Sequence, residues 1–185
     1  MSASSTENRL AGRRILVVDD EAINRHILGA ALKKQGYKIL EAGDGEEALE
    51  VARKQPDLIL LDIMMPGIDG LETCRRLKED PDLFEIPVIF LSALTDSQSK
   101  AKGLEAGGVD YVPKPFDTRE LLARVASHLT LRDQERRISQ YADNLESMVA
   151  ERTGKLVAAE RELSRDNDIQ RVINQLLALS LGEVG

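Results

Sequence analysis

Leu58-Ile59-Leu60-Leu61 is an unbroken apolar run that ends on a carboxylate, Asp62, and Pro66, Gly67 and Gly70 follow closely. A short run without polar alternation reads as a strand buried on both faces, and the Pro and Gly residues force the chain from it into a loop. An ionisable group therefore sits where a buried strand ends. Alone, such an Asp is as readily a turn former as anything else. Otherwise it needs a cation or a reaction that a carboxylate performs.

The same arrangement recurs along the chain. Arg14 to Val18 is an apolar run ending in Asp19-Asp20-Glu21, Tyr37 to Glu41 is a second short strand, and Pro87 to Ser92 is a fourth, again buried. Val109 to Val112 is a fifth, leading into Pro113-Lys114-Pro115-Phe116. Helical patterns lie between these runs. Ile23, Ile27 and Ala31 share one face with Leu28 and Leu32 beside it, and Gly36 closes that helix. Asp44 caps a helix carrying Ala48, Leu49, Val51 and Ala52 inward until Gln55-Pro56. Gly70 to Glu79 is helical with Leu71, Cys74 and Leu77 on one face, and Pro81 ends it. A polar helix from about Asp96 to Ala106 is broken by Gly107-Gly108, and a last helix is capped by Asp117 or Thr118.

Strands alternating with helices predict an α/β fold, a parallel sheet with helices on both faces. Right-handed crossovers then put the functional crevice beyond the carboxyl ends of the strands. Asp19-Asp20, Asp62, Ser92 and Lys114 all fall at or just after such ends. Single charges are usually solvated surface; charges gathered on one edge are harder to dismiss.

Composition removes several classes. No apolar run approaches the roughly 18 residues of a membrane span, and Met1 to Asn8 is polar, so neither a span nor a secretory signal is read and a cytoplasmic location is expected. Cys74 is the single cysteine, which excludes an internal disulfide and argues against structural zinc; it reads as a small core residue. A net charge of −7, no tryptophan and few other aromatics argue against nucleic-acid binding by this portion. His26 reads as an ordinary surface side chain and His128 as one favoured by a helix end.

If the first and third strands are neighbours, Asp19, Asp20 and Asp62 converge. Two like charges ~4 Å apart repel by about 4 kcal/mol at an effective dielectric near 20, so a bare triad needs compensation. Mg²⁺ supplies it: it favours carboxylate oxygens and leaves positions for phosphoryl oxygens. One carboxylate is then placed to be a nucleophile toward phosphorus, forming an acyl phosphate, with Lys114 and the Ser92 hydroxyl on the same oxygens.

Val17-Val18-Asp19-Asp20-Glu21, Leu60 to Gly70, Phe90-Leu91-Ser92-Ala93 and Asp110 to Phe116 together resemble the receiver domain of two-component response regulators. The resemblance covers about residues 12 to 130. It implies a flavodoxin-like, doubly wound five-stranded parallel sheet of order 2-1-3-4-5, and phosphoryl transfer to Asp62 from a phosphohistidine on a histidine kinase or phosphotransfer protein. It implies that Asp20 and Asp62 ligate Mg²⁺ directly, that Asp19 assists mostly through water, and that Met64 offers its backbone carbonyl. Lys114 would bind the phosphoryl group, Ser92 would be the switch hydroxyl, and Tyr111 the aromatic whose rotation follows phosphorylation. Met64 and Leu94 occupy positions that tune the lifetime of the acyl phosphate in this family. Gly107-Gly108-Val109 departs slightly from the family's pattern at no catalytic position.

Residues 1–11 read as a disordered tail, and residues 131–181 as a helical coiled coil. Leu131, Ile138 and Leu145 are seven apart, with Tyr141 and Met148 three residues after the last two; Val149, Leu156 and Leu163 repeat the spacing after a four-residue slip, a stutter. Two parallel copies would bury this stripe and make a homodimer. Leu145 to Thr153 resembles signalling-helix linkers, and Ile169 to Leu179 reads as the entry to a further, output domain. Two rivals are an Asp-nucleophile phosphohydrolase of the haloacid dehalogenase type, which usually needs a second Asp where Met64 stands, and a non-phosphorylated dimerisation adaptor. A dinucleotide-binding Rossmann domain is weaker, because no Gly-rich turn follows the first strand.

Overall fold

The computed structural model describes residues 10–93 and 97–182. The strands are β1 (Arg14–Val18), β2 (Lys38–Ala42), β3 (Leu58–Asp62), β4 (Val88–Ser92) and β5 (Asp110–Pro113). The helices are α1 (Ala22–Lys34), α2 (Gly45–Ala52), α3 (Gly70–Glu79), α4 (Ser97–Glu105) and α5 (Thr118–Gly182). The strands form one parallel sheet in the order β2-β1-β3-β4-β5, as the resemblance implies. The chain divides into two compact units, Met1–Gln134 and Glu135–Gly185.

Alternate residues of each strand serve opposite layers, as the period of two requires. Leu16, Val18, Ile59, Leu61 and Phe90 pack with Ala48, Ala52, Cys74 and Leu77 of α2 and α3. Ile15, Val17, Leu58, Leu60, Ile89 and Leu91 pack with Leu28 and Leu32 of α1 and Leu121, Val125 and Leu129 of α5. β3 and β4 are buried at every residue, so the long apolar runs belong to the centre of the sheet. Cys74 is fully buried, and burial pushes its thiol up to about 11, which leaves it an inert core residue. Asp44 and Asp69 cap α2 and α3, accepting from the amides of Glu47 and Glu72. Asp117 rather than Thr118 caps α5, its Oδ1 accepting from the amide of Arg119 at 2.7 Å.

The first helix differs from its expected face. Ile23 and Ile27 are 71% and 55% exposed, and Leu28, Gly29 and Leu32 face the sheet instead. Neighbouring residues diverge by about 100° around a helix. Leu28 and Leu32 therefore define a face that Ile27 cannot share. β5 begins one residue later than read, and the expected start of α4 at Asp96 lies outside the described residues. The expected tail is also shorter at its inner end: Leu10 is buried among Ile15, Leu32 and Tyr37, while residues 1–9 lie outside the described residues. His128 is far from any helix end; its Nε2 lies 3.1 Å from Asp110 Oδ2.

Candidate functional site

Parallel pairing sets the strand ends level. Val18 lies opposite Leu61, Asp62 opposite Leu91, and Ser92 opposite Pro113, so the residues that follow β1, β3, β4 and β5 emerge on one edge. There Asp19, Asp20 and Asp62 each offer a carboxylate oxygen, and these atoms lie within 4.8 Å of one another. Asp19 and Asp62 are buried and Asp20 is exposed. The cluster is closed toward the core and open toward water.

Lys114 bridges the two buried carboxylates, its Nζ 2.7 Å from Asp19 Oδ2 and 2.7 Å from Asp62 Oδ2. The Lys114 amide donates to the Ser92 carbonyl at 2.7 Å, which ties the loop after β5 to the end of β4. Asp19 Oδ1 also accepts from the Glu21 amide at 2.9 Å and from Asn24 Nδ2 at 3.1 Å. Asp62 Oδ1 accepts from the Met64 amide at 3.2 Å. Gly70 closes the loop after β3 directly against Asp62, where a Cβ would collide with its carbonyl oxygen.

Three carboxylates against one ammonium leave two negative charges without a partner. Burial raises the Asp62 carboxyl above its ordinary 3.8, and the hydrogen bond and charge of Lys114 pull it back only in part. For Lys114, burial works against the charged form, but the hydrogen bonds to Asp19 and Asp62 prevail and hold it above the usual lysine value. The donor set is all hard oxygen and half open to solvent, which suits Mg²⁺ and excludes a soft metal. Asp19, Asp20 and Asp62 are the side chains that could hold it.

Ser92 is fully buried at the end of β4, one residue beyond the partner of Asp62, and Tyr111 is buried in β5 opposite Phe90. The Met64 side chain is 62% exposed. Leu94 lies outside the described residues. Sequence reading passed over Asn24 and Arg25, which lean on Asp19 from the first turns of α1; their only signal was a position one helical turn beyond the acidic pair.

Residues 15–126 match the response regulator receiver domain family, and the chain belongs to that family. Receiver domains are signalling domains that bind Mg²⁺ at an acidic cluster. The phosphate regulon transcriptional regulatory protein PhoB of Pseudomonas aeruginosa is 46% identical over 121 residues, which are 65% of this chain and 53% of PhoB. The chain thus spans about half the length of that relative. The receiver domain of the Francisella response regulator 1452 matches with a TM-score of 0.61 and 33% identity, covering 64% of this chain and 98% of that one. The BeF3-activated N-terminal receiver domain of RstA from Klebsiella pneumoniae gives 0.60 and 35%, covering 63% and 98%.

Proposed function

We propose that Asp62 is the phosphoacceptor of this receiver, phosphorylated in a Mg²⁺-dependent step by a phosphohistidine on a histidine kinase or phosphotransfer protein. An Asp62 oxygen attacks phosphorus, the nitrogen–phosphorus bond breaks, and its electron pair leaves on the imidazole. Lys114 holds the transferred oxygens, and a Mg²⁺ held by Asp19, Asp20 and Asp62 would supply neutralising charge to them. The observation that carries the reading is the lysine shared by two buried carboxylates beside an exposed third. Ile23 and Ile27, exposed on the first turns of α1 after the acidic pair, offer an apolar landing for the phosphodonor protein. Trifluoroberyllate is a tetrahedral stand-in for a phosphoryl group, and the RstA relative takes it up.

Ser92 and Tyr111 then re-pack as the switch pair, and α5 carries the change onward to an output domain. Along Glu135–Gly185, Ile138, Tyr141, Leu145, Met148, Val149, Leu156 and Leu163 are all exposed. A lone helix gains nothing from such a stripe in water, which supports a parallel homodimeric coiled coil. No described helix is long and apolar enough to cross a membrane, consistent with work in the cytoplasm. Met64 standing in place of a second Asp weighs against steady phosphohydrolase turnover.

The test is incubation with a small acyl phosphate, with Mg²⁺ or with a chelator, read by intact mass. One phosphoryl group should be added only with Mg²⁺ and should be absent in Asp62→Asn. Equal labelling of that variant would overturn the assignment.

A further inference from the structure

Consecutive residues of an extended strand point to opposite faces, so Asp19 and Asp20 reach the same cluster only if the backbone leaves strand geometry between them. It does: β1 ends at Val18 and the chain bends at Asp20. That bend is held from behind by one side chain. Arg25 Nη1 donates to the Asp19 carbonyl oxygen at 2.5 Å and reaches the Asp20 carbonyl oxygen at 3.3 Å. Its Nε lies 3.9 Å from Glu41 Oε2 at the end of β2.

We propose that Arg25 is a positioning residue for the cation site: by bridging two successive carbonyls it turns the Asp20 carboxylate to the side on which Asp19 and Asp62 lie. Among the described residues Arg25 hydrogen-bonds to the Asp19 and Asp20 carbonyls and to none of the three carboxylates, so it acts through the backbone that carries them. Glu41, on a neighbouring strand, stands within ion-pair range of its Nε and adds a charge contact from the sheet side. The inference rests on the Mg²⁺ reading above.

The test compares Arg25→Met, which keeps the stem and loses every donor, with Arg25→Lys, which keeps the charge on a single nitrogen. Mg²⁺ affinity is measured by titration calorimetry on the full chain, beside the melting temperature without metal. Groups that orient metal ligands are worth about tenfold or more in affinity, so the Met variant should bind about tenfold more weakly. The Lys variant, unable to hold both carbonyls and Glu41 together, should bind about threefold more weakly. A merely structural role would lower the metal-free melting temperature and leave Mg²⁺ affinity at the wild-type value; that result overturns the proposal. Should the Met variant not fold, wild-type affinity in the Lys variant overturns it. Failure of the wild-type chain to bind Mg²⁺ overturns the cation reading beneath it, a result distinct from unchanged binding by the variants.

Discussion

At the carboxyl edge of the sheet Asp19 and Asp62 share Lys114 beside the exposed Asp20, whereas at the amino edge Arg13 and Arg132 meet Asp57 and Asp133. Arg13 lies 3.1 Å from Asp57 Oδ1 and 2.5 Å from Asp133 Oδ1, and Asp57 Oδ2 accepts the Arg14 amide at 2.8 Å. Arg132, 7% exposed, donates to the carbonyl oxygens of Asp57 at 2.5 Å and Pro56 at 3.2 Å. At this edge charge is matched, and the cluster fastens the first part of α5 to the strands. At the other edge charge is left over, so an arriving cation has repulsion to relieve. Matched groups hold a fold together; unmatched ones, kept in place by the fold around them, are what a ligand can act on.

The contrast breaks most visibly at Lys114. In Lys114→Ala the phosphoryl oxygens lose their charged donor, and transfer from a small acyl phosphate should slow on the order of 10²-fold, followed by intact mass against time. A rate within twofold of wild type would mean that the lysine only balances charge. At the opposite edge, Arg132→Met removes the buried donor to two carbonyls and should destabilise the fold by about 2 kcal/mol in urea unfolding. Its phosphorylation rate should stay at the wild-type value; a parallel fall would show that the two edges are not independent.

The smallest effect is expected at Asp110, which sharpens what matched charge contributes. Burial works against its charged form, but the Tyr111 amide, His128 and Arg124 outweigh this and hold the carboxyl below its ordinary 3.8. A carboxyl depressed in the folded state stabilises above its unfolded value and loses that contribution as pH falls through its folded value. Asp110→Asn should therefore lose about 1 kcal/mol near neutral pH and close the gap in acid, read from thermal unfolding at both. A gap that widened in acid would reverse the sign.

The carboxyl edge was legible in the sequence because its groups follow apolar runs directly or within two residues: Val18 into Asp19 and Asp20, Leu61 into Asp62, Leu91 into Ser92, Val112 and Pro113 into Lys114. Strand ends fix position, and parallel pairing makes the ends coincide. The amino edge was not legible. Arg13, Asp57 and Asp133 are far apart along the chain, and nothing local marks Arg132 as buried rather than as one more charge on a polar helix. Ile23 and Ile27 misled for a related reason: apolar periodicity finds a stripe, but which stripe meets the sheet depends on how the helix is seated. Arg25 was passed over because an arginine that bonds to backbone carbonyls leaves no pattern among side chains.

On the reading proposed above, the surplus of negative charge at the carboxyl edge serves to make one particular carboxylate a phosphoacceptor. Borohydride reduces an acyl phosphate to an alcohol, so the phosphorylated chain can be trapped and the altered residue found by peptide sequencing. A single altered position is expected, Asp62. Modification at Asp19 or Asp20, or none in a chain that carries the added phosphoryl group, would contradict it.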